Sequence, residues 1–293
     1  MSEAAIPVDL LNPGQVFACL GLMEAAEILC GPCEGEFLYQ APETEARFRL
    51  TTGGQADPVR RAVDFLAHAS ARAYAPHAGY SWNRDWGPPP ETRAVYPAPA
   101  PDTPASLAIV LSTGDDEIPI EHWLDGPHNG RDNVKFWAGA GGYPGAALAR
   151  DALAHLTCLG DNKLTDIAGD PFAFSAPMSS SFRFDWRRDY VPLDAGFSLN
   201  EHPTMQPVGY PLVELLAAIG LQNARPERPD PRDKLIYRYA ISPARLPISL
   251  ARAVLGGARI GFPLRTFRMR LDWPGQENQA RCIVDAREEE TAR

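Results

Sequence analysis

IPVDLLNPGQVFACLGLMEAAEILCGPC, residues Ile6–Cys33, is the stretch from which the fold is read. It opens with a short alternating run, Ile6 to Leu10, then Asn12-Pro13-Gly14, then an almost unbroken apolar run to Leu29. Asn12 is a candidate helix cap, and Pro13 suits a first helical position because it has no N–H to leave unpaired. Phe17, Leu20, Glu24 and Ile28 fall along one side, while Val16, Met23 and Leu29 keep most of the remaining surface apolar. A helix apolar nearly all round is a buried helix. Its length falls short of a membrane span and Glu24 and Glu27 interrupt it, so a place inside a soluble core is expected.

Working outward, Glu36–Gln40 and Arg47–Leu50 read as two short alternating strands. Asp57-Pro58 opens a second helical run, with Val59, Val63 and Leu66 spaced for one face. A later strand, Leu107–Leu111, completes the order strand–helix–strand–strand–helix–strand. That order is the split βαβ, or ferredoxin-like, arrangement. The fold class expected is α+β: a ferredoxin-like unit over residues 1–112 with a Pro-rich insertion at 75–104, then an α+β part over 113–293 packed against it or continuous with it.

The chain has 293 residues, 45% hydrophobic, enough for one large domain or two small ones with a substantial core. Met1–Ala5 carries no basic region of the kind that opens a signal peptide. Five cysteines in a chain of this size do not make a secreted disulfide framework, so a reducing, cytoplasmic setting is expected. The net charge of −9 argues against a polyanion partner until its distribution is considered. From Arg225 to the end, thirteen Arg and one Lys stand against nine acids, so the rest of the chain is strongly acidic. An acidic body with a basic C-terminal quarter suits one local polyanion-binding face, and equally a subunit whose surfaces pair with neighbours.

The stretch from Ala75 to Pro104 is aromatic and polar at first, then loaded with proline, and cannot hold a regular ladder. It is a linker or a long functional loop. Trp82 and Trp86 either tack it to the body or, with Arg84, stack on a base or wedge into a duplex. After the Leu107–Leu111 strand, Asp115, Asp116, Glu117, His122, Asp125 and His128 are dense. No pair has an established metal-binding spacing, and an acidic turn followed by a strand at 118–124 explains the same letters. At Asn133–Tyr143, Lys135 and Trp137 flank Phe136 and run into a Gly-rich turn before a helix over 145–159. Such a turn can bind an anion, but it matches neither the P-loop nor the dinucleotide fingerprint, so no nucleotide cofactor is expected.

Phe182–Tyr190, FRFDWRRDY, alternates as a strand should: Phe182, Phe184 and Trp186 one way, Arg183, Asp185 and Arg187 the other, with Arg188 and Asp189 at its end. Leu264–Trp273, LRTFRMRLDW, repeats the design, with Phe267, Met269, Leu271 and Trp273 opposed to Thr266, Arg268, Arg270 and Asp272. Each strand would bury an aromatic face and expose two arginines. Those arginines form either a solvated face with local Arg–Asp pairs or a face that contacts phosphates without reading bases. Helices are expected over 211–220 and 248–255, and strands over 235–241 and 279–286. The tail from Arg287 is expected to fray.

Catalytic patterns fail one by one. Cys30-Gly31-Pro32-Cys33 has the letters of a thioredoxin site, but both cysteines follow a helix, at the end whose dipole raises a thiol pKa. A zinc site would need a second pair, and Cys19, Cys158 and Cys282 are scattered. Ser179-Ser180-Ser181 lacks the context of a nucleophile elbow. No enzyme, metal or cofactor is expected, and a metal-dependent nuclease or hydrolase using residues 115–128 is the rival enzymatic reading.

The segments PVDLLNPGQVFACLGLMEAAEILCG, VKFWAGAGG, SSSFRFDWRRDYVPLDAGFS and PVGYPLVELLAAIGLQNARP resemble the small subunit family of type I-U (I-G) CRISPR Cascade complexes, often labelled that system's large-subunit equivalent. The resemblance runs from about Ile6 to Asp285. It implies a non-enzymatic, antiviral part of an RNA-guided complex, whose partners are the guide RNA (crRNA), target DNA, the other Cascade subunits and a transiently recruited helicase-nuclease. Protein in such complexes reads a short motif beside the target and the nucleic-acid backbone, while base pairing reads the rest. The chain is short for a large subunit, and a ferredoxin-like (RAMP- or RRM-like) start resembles the RNA-binding repeat proteins of the backbone or foot. No residue role comes with the resemblance. The candidate nucleic-acid contacts read from the residues themselves are Arg183, Arg187, Arg188, Arg268, Arg270, Lys135, Trp82, Arg84 and Trp86. An architectural subunit that binds only protein is the other reading.

Overall fold

A computed structural model describes residues 1–39, 46–74, 90–91, 109–120, 145–178, 181–189, 196, 202, 204–233, 235–272 and 282–289. The protein is α+β, with several small, mostly antiparallel sheets around helices. Strand β1 (Ser2–Pro7) leads into helix α1 (Pro13–Cys30), which Pro13 opens as expected. The Asn12 side chain makes no capping bond; it is drawn instead to a buried aspartate far along the chain, Asp185. Gly31, at φ +85°, takes the backbone out of the helix, a conformation that costs glycine nothing.

Strands β2 (Cys33–Leu38) and β3 (Arg47–Thr52) follow, and β3 lies between β1 and β2, antiparallel to both. β1 and β2 therefore run parallel, with β3 between them and α1 connecting them. Helix α2 (Pro58–His68) is capped by Asp57, whose carboxylate accepts the amides of Val59 and Arg60. It packs on α1 and on β3. The fourth strand departs from expectation. Strands β4 (Ser70–Tyr74), β5 (Pro90–Glu91), β6 (Ile109–Ser112) and β7 (Glu117–Ile120) form their own sheet in the order β5-β4-β6-β7. The expected closing strand is β6, and it pairs with β4, not with β1.

Helices α3 (Gly145–Thr157) and α4 (Asp161–Gly169) come next, then a two-residue pair, β8 (Ala176–Pro177) and β9 (Val208–Gly209). Helix α5 (Pro211–Gly220) precedes β10 (Ile236–Ile241), β11 (Leu246–Pro247), α6 (Ile248–Leu255), β12 (Arg265–Asp272) and β13 (Cys282–Glu289). β11 adds to the edge of β2, and β10-β12-β13 form a third sheet. β13 runs to Glu289, so the frayed tail expected from Arg287 is corrected: Arg287 pairs with Arg268 of β12.

The core explains the all-round apolarity of α1. Every residue from Pro13 to Ala26 is buried. α1 and α5 meet backbone to backbone through glycine: a Cβ on Gly21 would lie 1.8 Å from the Leu216 carbonyl oxygen, and one on Gly220 2.1 Å from that of Phe17. Phe17 then reaches the third sheet, edge-on to Tyr239 at 5.7 Å between centroids, and Tyr239 stacks on Phe267. Each such large side chain contributes about 1.5–3 kcal/mol by burial. By length and apolar content α1 would suffice to cross a membrane, so length alone does not place it; 78% of it is buried within the protein. Inside that shell Glu24 is neutralised by a two-pronged pair with Arg252 at 2.6 Å and 2.6 Å.

Candidate nucleic-acid interface

The third sheet carries the arrangement that sequence periodicity led us to expect. On β12, Phe267, Met269 and Leu271 are fully buried, while Arg268 is half-buried and Arg270 exposed on the opposite face. In register, Arg238 of β10, Arg268 of β12 and Arg287 of β13 stand directly across from one another. One row along, Ile236, Arg270 and Asp285 are partners. Cross-strand partners share a face, so four arginines occupy the outer side of this sheet.

Their electrostatic states differ. Arg238 is held by Glu289 and, at 3.4 Å, by Glu227, and the hydrogen bond to Glu289 does most to raise its pKa. Arg270 pairs with Asp272 at 3.0 Å, both half-exposed, an interaction worth about 0–1 kcal/mol. The Arg268 and Arg287 side chains have no hydrogen bond or ion pair with any of the described residues.

The other arginine cluster is placed quite differently. Residues 181–189 form no strand, which corrects the reading of Phe182–Tyr190 as one; Tyr190 lies outside the described residues. The alternation is present in the letters, but the backbone donors go elsewhere. The Glu214 carboxylate, in the first turn of α5, accepts the amides of Phe184 at 3.1 Å and Asp185 at 3.0 Å. Arg183 adopts φ +67°, which breaks any strand there. Asp185, expected on a solvated face, is wholly buried; it accepts from Asn12 and, at 2.6 Å, from Arg187. Arg187 also donates to the Phe172 carbonyl and lies 3.6 Å over the Tyr210 ring. Burial works to lower its pKa, but the Asp185 hydrogen bonds and charge hold it above the usual arginine value. Arg188 is buried against Ser181 and the Met178 carbonyl. Arg183 and Arg187 therefore share no sheet face with Arg268 and Arg270. Arg187 and Arg188 secure a loop.

Glu214 is the most perturbed carboxyl of this knot. Burial pushes its pKa up to about 7, against the opposing pull of the two amides it accepts. A cleft of about 670 Å³ opens beside the knot, lined by Asp9, Gln15, Arg47, Asp170, Phe172 and Arg187 among others. Two acids and two arginines face it, so it favours neither charge sign.

The structure also places the thiols. Burial raises the Cys33 pKa far above the ordinary thiol range, with Glu27 adding to the effect, and burial raises Cys30 as well. Neither is an activated nucleophile. Asp116 pairs with Arg61 at 2.8 Å, and among the described residues no three His, Cys, Asp or Glu converge on a metal-sized site. His122, Asp125 and His128, together with Lys135, Trp82, Arg84 and Trp86, lie outside the described residues.

Comparison with known proteins finds nothing: no family model, curated protein or solved structure matches this chain. Two members of the arginine row, Arg238 and Arg287, do not stand out in the sequence. Arg238 is the one arginine of its strand, and Arg287 falls just past the apolar stretch that marks the closing strand as ending at Ala286. The alternation of Asp285, Arg287 and Glu289 is the signal that extends that strand.

Proposed function

We propose that this chain is a cytoplasmic subunit of a type I CRISPR effector ribonucleoprotein that contacts guide RNA or target DNA through the outer face of its C-terminal sheet. The single observation that supports it is the cross-strand row Arg238–Arg268–Arg287, two of whose members lack a carboxylate partner among the described residues. Phosphate contacts of this kind position a nucleic acid without reading its sequence. The resemblance of the four sequence segments supplies the identity of the partners: guide RNA, target DNA, the other Cascade subunits and the helicase-nuclease.

The finer fold assignment belongs to the same proposal. The β1-β3-β2 ladder with α1 and α2 is read as a ferredoxin-like unit whose fourth strand has been diverted into the β4–β7 sheet. Such a unit suits a backbone or foot role as well as a large-subunit role. Trp82, Arg84, Trp86 and Lys135 stay within the proposal as further contacts.

An architectural, protein-only role is the second reading, and it has an observation of its own. Arg60, Arg187, Arg238, Arg245, Arg252 and Arg265 are each held by carboxylates of this chain, in a protein of net charge −9. Co-expression with the neighbouring genes separates the two. The first reading expects the chain to elute with RNA in a complex. Elution with protein partners and no nucleic acid would leave the architectural role.

A further inference from the structure

Arg268 and Arg287 are Cα partners on adjacent strands, so their backbones are about 4.5–5.5 Å apart and their side chains leave the same face. Like charges set directly opposite each other destabilise a sheet. Other arginines of this sheet are relieved of that cost: Arg238 by Glu289 and Glu227, Arg270 by Asp272, Arg265 by a two-pronged pair with Glu288. Asp285, one row along and opposite Arg270, makes no hydrogen bond or ion pair with Arg268 or Arg287. Among the described residues, the two side chains therefore stand side by side on the sheet with no carboxylate bonded to either. A tetrahedral dianionic or monoanionic oxygen cluster between them converts their repulsion into two charge-assisted forks, which is the geometry arginine offers to phosphate.

We infer that Arg268 and Arg287 together hold one backbone phosphate of a bound nucleic-acid strand, and that Arg270 and Arg238 do not contact it. This rests on the reading of the chain as a nucleic-acid-binding subunit, and it adds to that reading the identity of the contact and its sharing by two strands. Arg238 is taken up by Glu227 on the β10 side and by Glu289, which reaches across from β13, so it is not offered to the strand.

The test is the salt dependence of binding of a fluorescent 20-nucleotide single-stranded oligonucleotide, as RNA and as DNA, to the full chain and its variants. Removing one phosphate contact flattens the plot of log affinity against log salt by about 0.7 for a single strand. One shared phosphate predicts that the double variant flattens it by about 0.7 in all, and each single variant by no more than that. R245A, at an exposed arginine outside this sheet and paired with Glu36, leaves the slope unchanged. Circular dichroism of these surface variants confirms the fold. A double variant that flattens the slope by about 1.4 would mean two separate phosphates and overturn the shared site. Wild-type binding with an unaltered slope in the double variant would overturn the site while leaving nucleic-acid binding in place. A wild-type chain that binds neither oligonucleotide, free or in its complex, would overturn both.

Discussion

Replacing Glu214 by glutamine probes the buried knot that shapes residues 181–189. The carboxyl is wholly buried beside the Asp185 carboxylate, with Arg188 opposing, and burial raises its pKa from 4.5 to about 7. The sign follows from the direction. A carboxyl whose folded pKa is raised contributes its full stabilisation below about pH 4.5, and that contribution is lost as pH rises towards 7. The gap between 4.5 and about 7 corresponds to about 3 kcal/mol. Glutamine keeps an oxygen to accept the Phe184 and Asp185 amides but does not titrate. Urea unfolding of wild type and E214Q, followed by tryptophan fluorescence at pH values from 4.5 to 8, isolates the group, because the other carboxylates cancel in the difference. The stability of wild type relative to E214Q should fall by about 3 kcal/mol between pH 4.5 and 7 and stay level above that. A difference that is flat across the window, or that grows with pH, would refute the burial argument.

The close approach of α1 and α5 makes Gly21 intolerant. Gly21→Ala puts a methyl on the Leu216 carbonyl, so the helices must separate, and we expect a loss of about 3 kcal/mol or more in urea unfolding. A loss under about 1 kcal/mol would mean the backbones are not in contact. The thiols should react in order of exposure: iodoacetamide at pH 8 should label exposed Cys158 first, while buried Cys19 and Cys33 wait for unfolding. Early labelling of Cys33, read by peptide mass, would contradict the raised thiol pKa and reopen the CxxC motif as a redox centre.

How much of the fold is legible in the sequence depends on where each segment's partners lie. α1, α2, α5 and α6 are readable because their signals are local: Pro13, Asp57-Pro58, Pro211 and the apolar spacing behind each. β12 is readable because period-two alternation and a buried inner face agree. Helix α4, DNKLTDIAG, leaves a faint signal because its apolar face is only Leu164, Ile167 and Ala168, and so does β4, SARAY, which has no strong apolar alternation. Residues 182–190 mislead for a different reason. Their letters alternate as well as those of β12, but Glu214, some thirty residues on, takes their amides, and Asp185 and Arg187 close on each other. A partner that distant leaves no trace in a local window. The arginine row is half legible for the same reason: strand alternation points to Arg268 and Arg270, whereas register, which only pairing fixes, brings in Arg238 and Arg287.

Contact between nucleic acid and the C-terminal sheet is tested most directly by ultraviolet crosslinking of the co-expressed complex, followed by mass spectrometry of the crosslinked peptides. The expected result is nucleotide adducts on peptides from Arg265–Asp272 and Cys282–Glu289. An assembled, RNA-containing complex in which this chain carries no adduct, or carries them only around Arg183–Arg188, would contradict that contact.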